Sequence, residues 1–110
     1  MKLISCIVRM EKLEAVKTAL DRIQVSAIAA AEVHDYAPQK RETVVWRGHE
    51  CDLGFSLKIA ISVIVDDETV DETVKAIICA ARTGQVGDGH VSVSPIEHRY
   101  SIRTGERESC

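Results

Sequence analysis

The chain has 110 residues, 45% of them hydrophobic and 28% charged, which is the composition of one soluble globular domain. Its 14 basic and 17 acidic side chains leave a net charge of −3, which argues against a partner held mainly through a phosphate backbone. The only aromatic residues are Tyr36, Trp46, Phe55 and Tyr100, so aliphatic side chains must form the core, and a ligand is expected in a surface cleft or between subunits.

Residues 3–8 are apolar and β-prone, and Arg9 closes this first strand. No secretory leader pattern is visible there, and no run approaches the roughly 18 apolar residues of a membrane span, so a soluble cytoplasmic protein is expected. Residues 11–23 place Leu13, Val16, Leu20 and Ile23 at helical spacing, with Lys12, Glu14, Lys17 and Asp21 between them. A second strand is read over 28–36. From 37 to 54 the periodicity is lost, and the segment reads as a flexible, structureless loop long enough to call for a functional explanation. Residues 56–65 alternate Leu57, Ile59, Ile61, Val63 and Val65 and form the clearest strand. A second helix is predicted over 66–81, capped by Asp66 or Asp67, with Val70, Val74, Ile77, Ile78 and Ala81 on its apolar face. A glycine loop, 83–89, leads to a strand at 90–94, an extended piece near 100–103 and a polar tail over 106–110.

The order β-α-β-loop-β-α-β predicts a single α+β domain over 1–110, a ferredoxin-like sandwich with two helices on one face of an antiparallel sheet. The aliphatic strands leave the other face in need of cover, and self-association is the expected cover.

The glycine loop is the strongest chemical signal. Gly84, Gly87 and Gly89 permit close backbone approach, and successive amides in such a loop can cradle an anion. It lacks the G-K-[S/T] of a Walker loop and follows a helix where a dinucleotide fingerprint would open one. The plain alternative is a helix-to-strand connection. Arg82, His90, His98, Arg99, Arg103 and Arg107 cluster around it in sequence, which makes a phosphate site plausible, with a solvated charged face as the equal alternative. No nucleophile–base motif points to catalysis, and His34, His49, His90 and His98 show no metal-type pairing. Among the cysteines, Cys6 and Cys79 lie in apolar runs and read as core residues. Cys51 and Cys110 lie in polar surroundings and are candidate redox thiols, the plain reading being inert surface thiols in a reducing cytosol.

The chain resembles the PII family of signalling proteins from Met1 to the Arg103-Thr104-Gly105-Glu106 segment. The resemblance is carried by Lys12-Leu13, Glu32-Val33, Gln39-Lys40, Arg47-Gly48 with Glu50, Ala80-Ala81-Arg82-Thr83-Gly84, Val86-Gly87-Asp88-Gly89, Val93-Ser94-Pro95 and Ile102 to Glu106. It implies a homotrimer with an adenine nucleotide in each inter-subunit cleft and a long loop (the T-loop) that reaches a target protein. The resemblance assigns phosphate binding to the loop bearing Thr83, Gly84, Gly87, Asp88, Gly89 and His90. It assigns the adenine contact to Ala29 and Ile64 and a contact from the neighbouring subunit to Arg103. Gln39 and Lys58 fall where the standard proteins help hold 2-oxoglutarate beside magnesium, and Lys40 joins them as a candidate for binding a small anionic effector.

Departures from the family pattern are equally informative. Pro38, His90 and Ser101 stand where the family usually has arginine, lysine and arginine. Each charge-assisted phosphate contact is worth on the order of 1.5–3 kcal/mol, so their loss predicts a preference for ADP or AMP over ATP, with magnesium only if ATP binds. Cys51 replaces the tyrosine that relatives uridylylate, Trp46 replaces a second loop tyrosine, and His49 replaces a small residue that some relatives phosphorylate. These features resemble the PII-like branch linked to inorganic-carbon uptake or carboxysomes, whose members respond to nucleotide and, in some cases, to bicarbonate. The expectation is a non-enzymatic regulator of a transporter or enzyme. The alternatives are a standard nitrogen regulator sensing ATP, ADP and 2-oxoglutarate, a small hydrolase or redox protein, and a metal-tolerance protein on a similar trimer.

Overall fold

The computed structural model describes residues 1–25, 27–36, 42–46, 49–53 and 55–108. Strand β1 (Lys2–Arg9) leads through a 3₁₀ turn (Met10–Lys12) into helix α1 (Leu13–Ile23), then β2 (Ile28–Tyr36), β3 (Glu42–Trp46), β4 (His49–Leu53) and β5 (Phe55–Val65). A second 3₁₀ turn (Asp67–Thr69), helix α2 (Val70–Ala81), β6 (His90–Pro95) and the two-residue strands β7 (Arg99–Tyr100) and β8 (Arg107–Glu108) follow. The main sheet runs β2-β5-β1-β6, entirely antiparallel. This is the α+β ferredoxin-like arrangement the element order predicts.

Period-two alternation decides which face is buried. Ile4, Cys6 and Val8 of β1 and Ile59, Ile61, Val63 and Val65 of β5 point under the helices. There they meet Val16 and Leu20 of α1 and Ile77 and Ala81 of α2. The opposite face presents Leu3, Ser5, Ile7, Ala60, Ser62 and Ile64, all half-buried, with neither helix packed over it among the described residues.

Helix α2 is rotated slightly from the predicted apolar face. Its buried stripe is Thr73, Ile77 and Ala81, while Ile78 is 44% exposed and Cys79 is exposed rather than in the core. Thr73 is tolerated at full burial because its hydroxyl donates to the Thr69 carbonyl at 2.8 Å. Neither Asp66 nor Asp67 caps the helix through its side chain. The Thr69 amide bonds the Asp66 carbonyl at 2.9 Å, and Asp67 accepts the N-terminal ammonium at 2.9 Å. Helix α1 ends on Gln24, which adopts the left-handed conformation (φ 63°) and donates its amide to Asp21.

The segment predicted to be structureless is in large part a hairpin. β3 pairs with β4 from Glu42↔Leu53 to Trp46↔His49, because Thr43, Val44, Val45 and Trp46 are strong strand formers whatever the helical period says. The β2–β5 ladder continues to Tyr36↔Phe55, three residues beyond the Arg9↔Lys58 end of β1, and so carries this hairpin on a two-stranded arm. The extended piece near 100–103 is also corrected. Arg99–Tyr100 pairs with Arg107–Glu108 across a turn that the Gly105 amide closes on the Ser101 carbonyl at 2.8 Å.

Among the described residues no helix is long and apolar enough to cross a membrane. Leu20, fully buried beneath the sheet, is the packing test: Leu20→Ala costs about 2–5 kcal/mol in urea unfolding. Cys79→Ser, on the exposed side of α2, stays within about 0.5 kcal/mol of the parent.

Candidate functional site: the glycine loop and its supports

Helix α2 stops at Ala81 because Arg82 turns extended (φ −73°, ψ 129°). The loop that follows folds around one carboxylate. Asp88 Oδ2 accepts the amides of Thr83 and Gly84, each at 2.9 Å, and Oδ1 accepts the Thr83 hydroxyl. The Arg9 guanidinium closes on the same Oδ1 at 3.0 Å. The Thr83 hydroxyl and amide, followed by Arg9 and the Gly84 amide, hold the Asp88 carboxyl far below the usual carboxylate range.

Two cations support the loop from beneath. Arg9 Nη2 donates to the Val86 carbonyl at 3.0 Å, and Lys58 Nζ donates to the Gly87 carbonyl. Lys58 is only 5% exposed because the loop covers it. A trans peptide points its N–H opposite the preceding C=O. With the Val86 and Gly87 carbonyls turned toward these cations, the amides of Gly87 and Asp88 face the other way. Neither donates to a backbone acceptor outside the regular elements among the described residues. Outward amides above a positively charged support are the elements of an anion cradle.

Gly89 is fixed by contact as well as by conformation. At φ +97°, a Cβ there would lie 1.7 Å from the Ile7 carbonyl oxygen, so only glycine lets the loop descend into the β1–β6 ladder. His90 opens β6 directly after it, pairs with Ile7, and lines an apolar groove with Arg82, Asp88 and Ile78.

The residues singled out by sequence separate into two groups. Thr83, Gly84, Gly87, Asp88, Gly89, His90 and Lys58 gather at one end of the sheet. Ala29 and Ile64 line a cleft of about 150 Å³ at the other end, with Leu3, Ser62 and Arg99. Lys58 and Ile64 are six residues apart on β5, or roughly 20 Å at 3.3 Å per residue. Arg103 is exposed in the turn between β7 and β8, whose Arg99 borders that second cleft. One chain therefore does not bring the two groups together. Pro38, Gln39, Lys40 and Cys110 lie outside the described residues, and Cys51 is described only through its backbone, paired with Val44 in the hairpin.

Sequence reasoning missed Arg9, read only as the end of a strand. Its partners Val86 and Asp88 are 77 and 79 residues away, and only the antiparallel register of β1, β5 and β6 places them together.

The two glycines separate contact from conformation. Gly89→Ala combines a backbone clash with left-handed strain and lowers stability by about 3 kcal/mol or more in urea unfolding. Gly84→Ala, with open space around its Cβ, costs about 1 kcal/mol. The Asp88 carboxyl ionises more readily in the folded chain, so its stabilisation is present in full above about pH 4 and is lost as pH falls below that value. The stability gap between the parent and Asp88→Ala therefore narrows in unfolding curves as pH is lowered from about 6 to about 2.

Comparison with known proteins identifies the family. Residues 1–106 match the family described as "Nitrogen regulatory protein P-II". Proteins named nitrogen regulatory protein P-II from Nostoc punctiforme and Rhizobium etli are each 40% identical over 109 residues, covering 99% of this chain and 97% of each relative. The protein of the same name from Synechocystis is 38% identical over the same spans. The match takes in the glycine loop, both groups of site residues and the hairpin segment, and on it the chain belongs to the P-II family of nitrogen-regulatory signalling proteins.

Proposed function

We propose that this chain senses adenine nucleotides without turning them over, binding ADP or AMP in preference to ATP in clefts between subunits of a homotrimer. The observation that carries this reading is the prefolded glycine loop, with outward amides at Gly87 and Asp88 above Arg9 and Lys58. The roughly 20 Å between this loop and the Ala29–Ile64 cleft supports a site completed by a second copy, with loop and cleft supplied by different subunits. The sheet face away from the helices, uncovered among the described residues and with the small residues Ser5, Ala60 and Ser62 at its centre, suits close packing of such a copy.

Phosphate number is read by charge. Thr83, Gly84, Gly87, Asp88, Gly89, His90 and Arg103 form the phosphate side, and Ala29 and Ile64 the base side. His90 and Ser101 offer less positive charge than lysine and arginine, which penalises the more highly charged ATP most. Lys58 gives one of its three donors to Gly87, leaving two for a small anion such as bicarbonate, with Gln39 and Lys40 as its further ligands. Ligand state then passes to the 37–54 segment, which contacts a cytoplasmic or carboxysome-associated transporter or enzyme of carbon or nitrogen metabolism.

A second reading, a standard regulator sensing ATP, ADP and 2-oxoglutarate with magnesium, is favoured by the names of the relatives. Calorimetric titration with AMP, ADP and ATP, each with and without bicarbonate or 2-oxoglutarate, separates the two. The expected result is tighter binding of ADP and AMP than of ATP, with bicarbonate altering ADP or AMP affinity. His90→Lys should narrow the ADP–ATP gap by about tenfold, the equivalent of one restored charge-assisted contact. Tight ATP binding strengthened by 2-oxoglutarate, with no bicarbonate effect, selects the second reading.

A further inference from the structure

The base-side cleft holds a charged residue that the reading above does not use. Arg99 in β7 stands directly opposite Glu108 in β8, and its Nε makes an ion pair with Glu108 Oε2 at 3.0 Å, both side chains 41% exposed. Arg99 borders the cleft of about 150 Å³ that contains Ala29 and Ile64, and with Ile64 it also borders the larger concavity beside it. The other residues around the smaller cleft are Leu3, Ala27, Ala29, Ser62, Val63 and Ile64. All are uncharged, and Ser62 has the one polar side chain among them.

Such a cleft is below the roughly 300–1,000 Å³ of sites that enclose a whole ligand, and its apolar walls suit one flat ring system. A heterocyclic base brings acceptor nitrogens that need donors once water is displaced. Backbone apart, Ser62 and Arg99 are the donors at hand. Guanidinium has five N–H groups, is charged at every physiological pH, and can bond a ring edge or lie against a ring face. Only Nε is engaged, by Glu108, and among the described residues Arg99 has no other polar partner. The two terminal amino groups remain for a ligand, while Glu108 restrains the guanidinium at the rim of the cleft.

We propose that Arg99 is a further ligand-binding residue, donating from its terminal amino groups to the acceptor edge of the nucleotide base seated between Ala29 and Ile64. This rests on the nucleotide reading above. Because the contact is to the base, it is shared by AMP and ADP and is indifferent to the number of phosphates.

The test is calorimetry on the full chain with AMP and with ADP, comparing the parent with Arg99→Ala and Arg99→Lys. Arg99→Ala should weaken both nucleotides by the same factor, about tenfold, with Arg99→Lys between it and the parent. Thermal unfolding without nucleotide should be nearly unchanged, since the position is exposed. If the alanine variant does not fold, Arg99→Gln, which keeps most of the side chain, provides the same comparison. A loss for ADP alone places the cation on the phosphates and overturns the proposal. Parent-like binding of both nucleotides by Arg99→Ala overturns it and leaves the nucleotide reading standing. A parent protein that binds neither nucleotide overturns both.

Discussion

The carboxylate of Asp88 organises the loop on which the functional site depends. Three donors from Thr83 and Gly84 converge on it, and Arg9 ties it to the end of β1. A seven-residue loop with three glycines would otherwise have wide conformational freedom, because glycine loses more backbone entropy on ordering than any other residue. The carboxylate takes up the amides at the start of the loop, and Arg9 and Lys58 take up the carbonyls in its middle. What is left facing outward is the pair of amides of Gly87 and Asp88, with no backbone acceptor outside the regular elements among the described residues. An anion meeting this loop finds its donors already aligned, and preorganisation of this kind reduces the ordering cost of binding.

The same arrangement explains why a lysine is buried in a small protein with little polar interior. Lys58 lies at the end of β5 where the β1 ladder stops, and the glycine loop passes over it. Among the described residues its ammonium bonds a carbonyl rather than a carboxylate, which leaves donor capacity unspent. Beyond this point β2 and β5 run on alone toward the β3–β4 hairpin. Glycine loop, buried lysine and hairpin arm thus share one end of the sheet. Any group that engaged Lys58 would therefore act at the root of the arm.

Much of the fold was legible in the sequence because its signals are local. The alternation in β5, the helical stripe of α1 and the loop glycines each report their own element, and β2 matches its predicted bounds. The misreadings arose where neighbours decided the outcome. Cys79 and Ile78 look like core residues in an apolar run, yet α2 is rotated so that Thr73, which satisfies its own hydroxyl, takes the buried place. The 37–54 segment lacks helical period, but five-residue strands stabilised by each other carry too little pattern to be read singly. Of the site, the glycine loop and Lys58 were visible, whereas Arg9 read only as the end of a strand and Arg99 only as one of several basic residues near the loop in sequence, not as a neighbour of the Ala29–Ile64 cleft.

The sequence by itself determined the α+β class, the glycine loop and the family, since these follow from short-range periodicity and contiguous motifs. The thinning of positive charge at Pro38, His90 and Ser101 was also readable there. Only the tertiary structure decided how the loop is held and which site residues share one end of the sheet. Both depend on the register of β1, β5 and β6, which joins residues nearly eighty positions apart. The glycine loop and the Ala29–Ile64 cleft lie toward opposite ends of the same sheet, roughly 20 Å apart along β5, a separation that no contiguous motif reports.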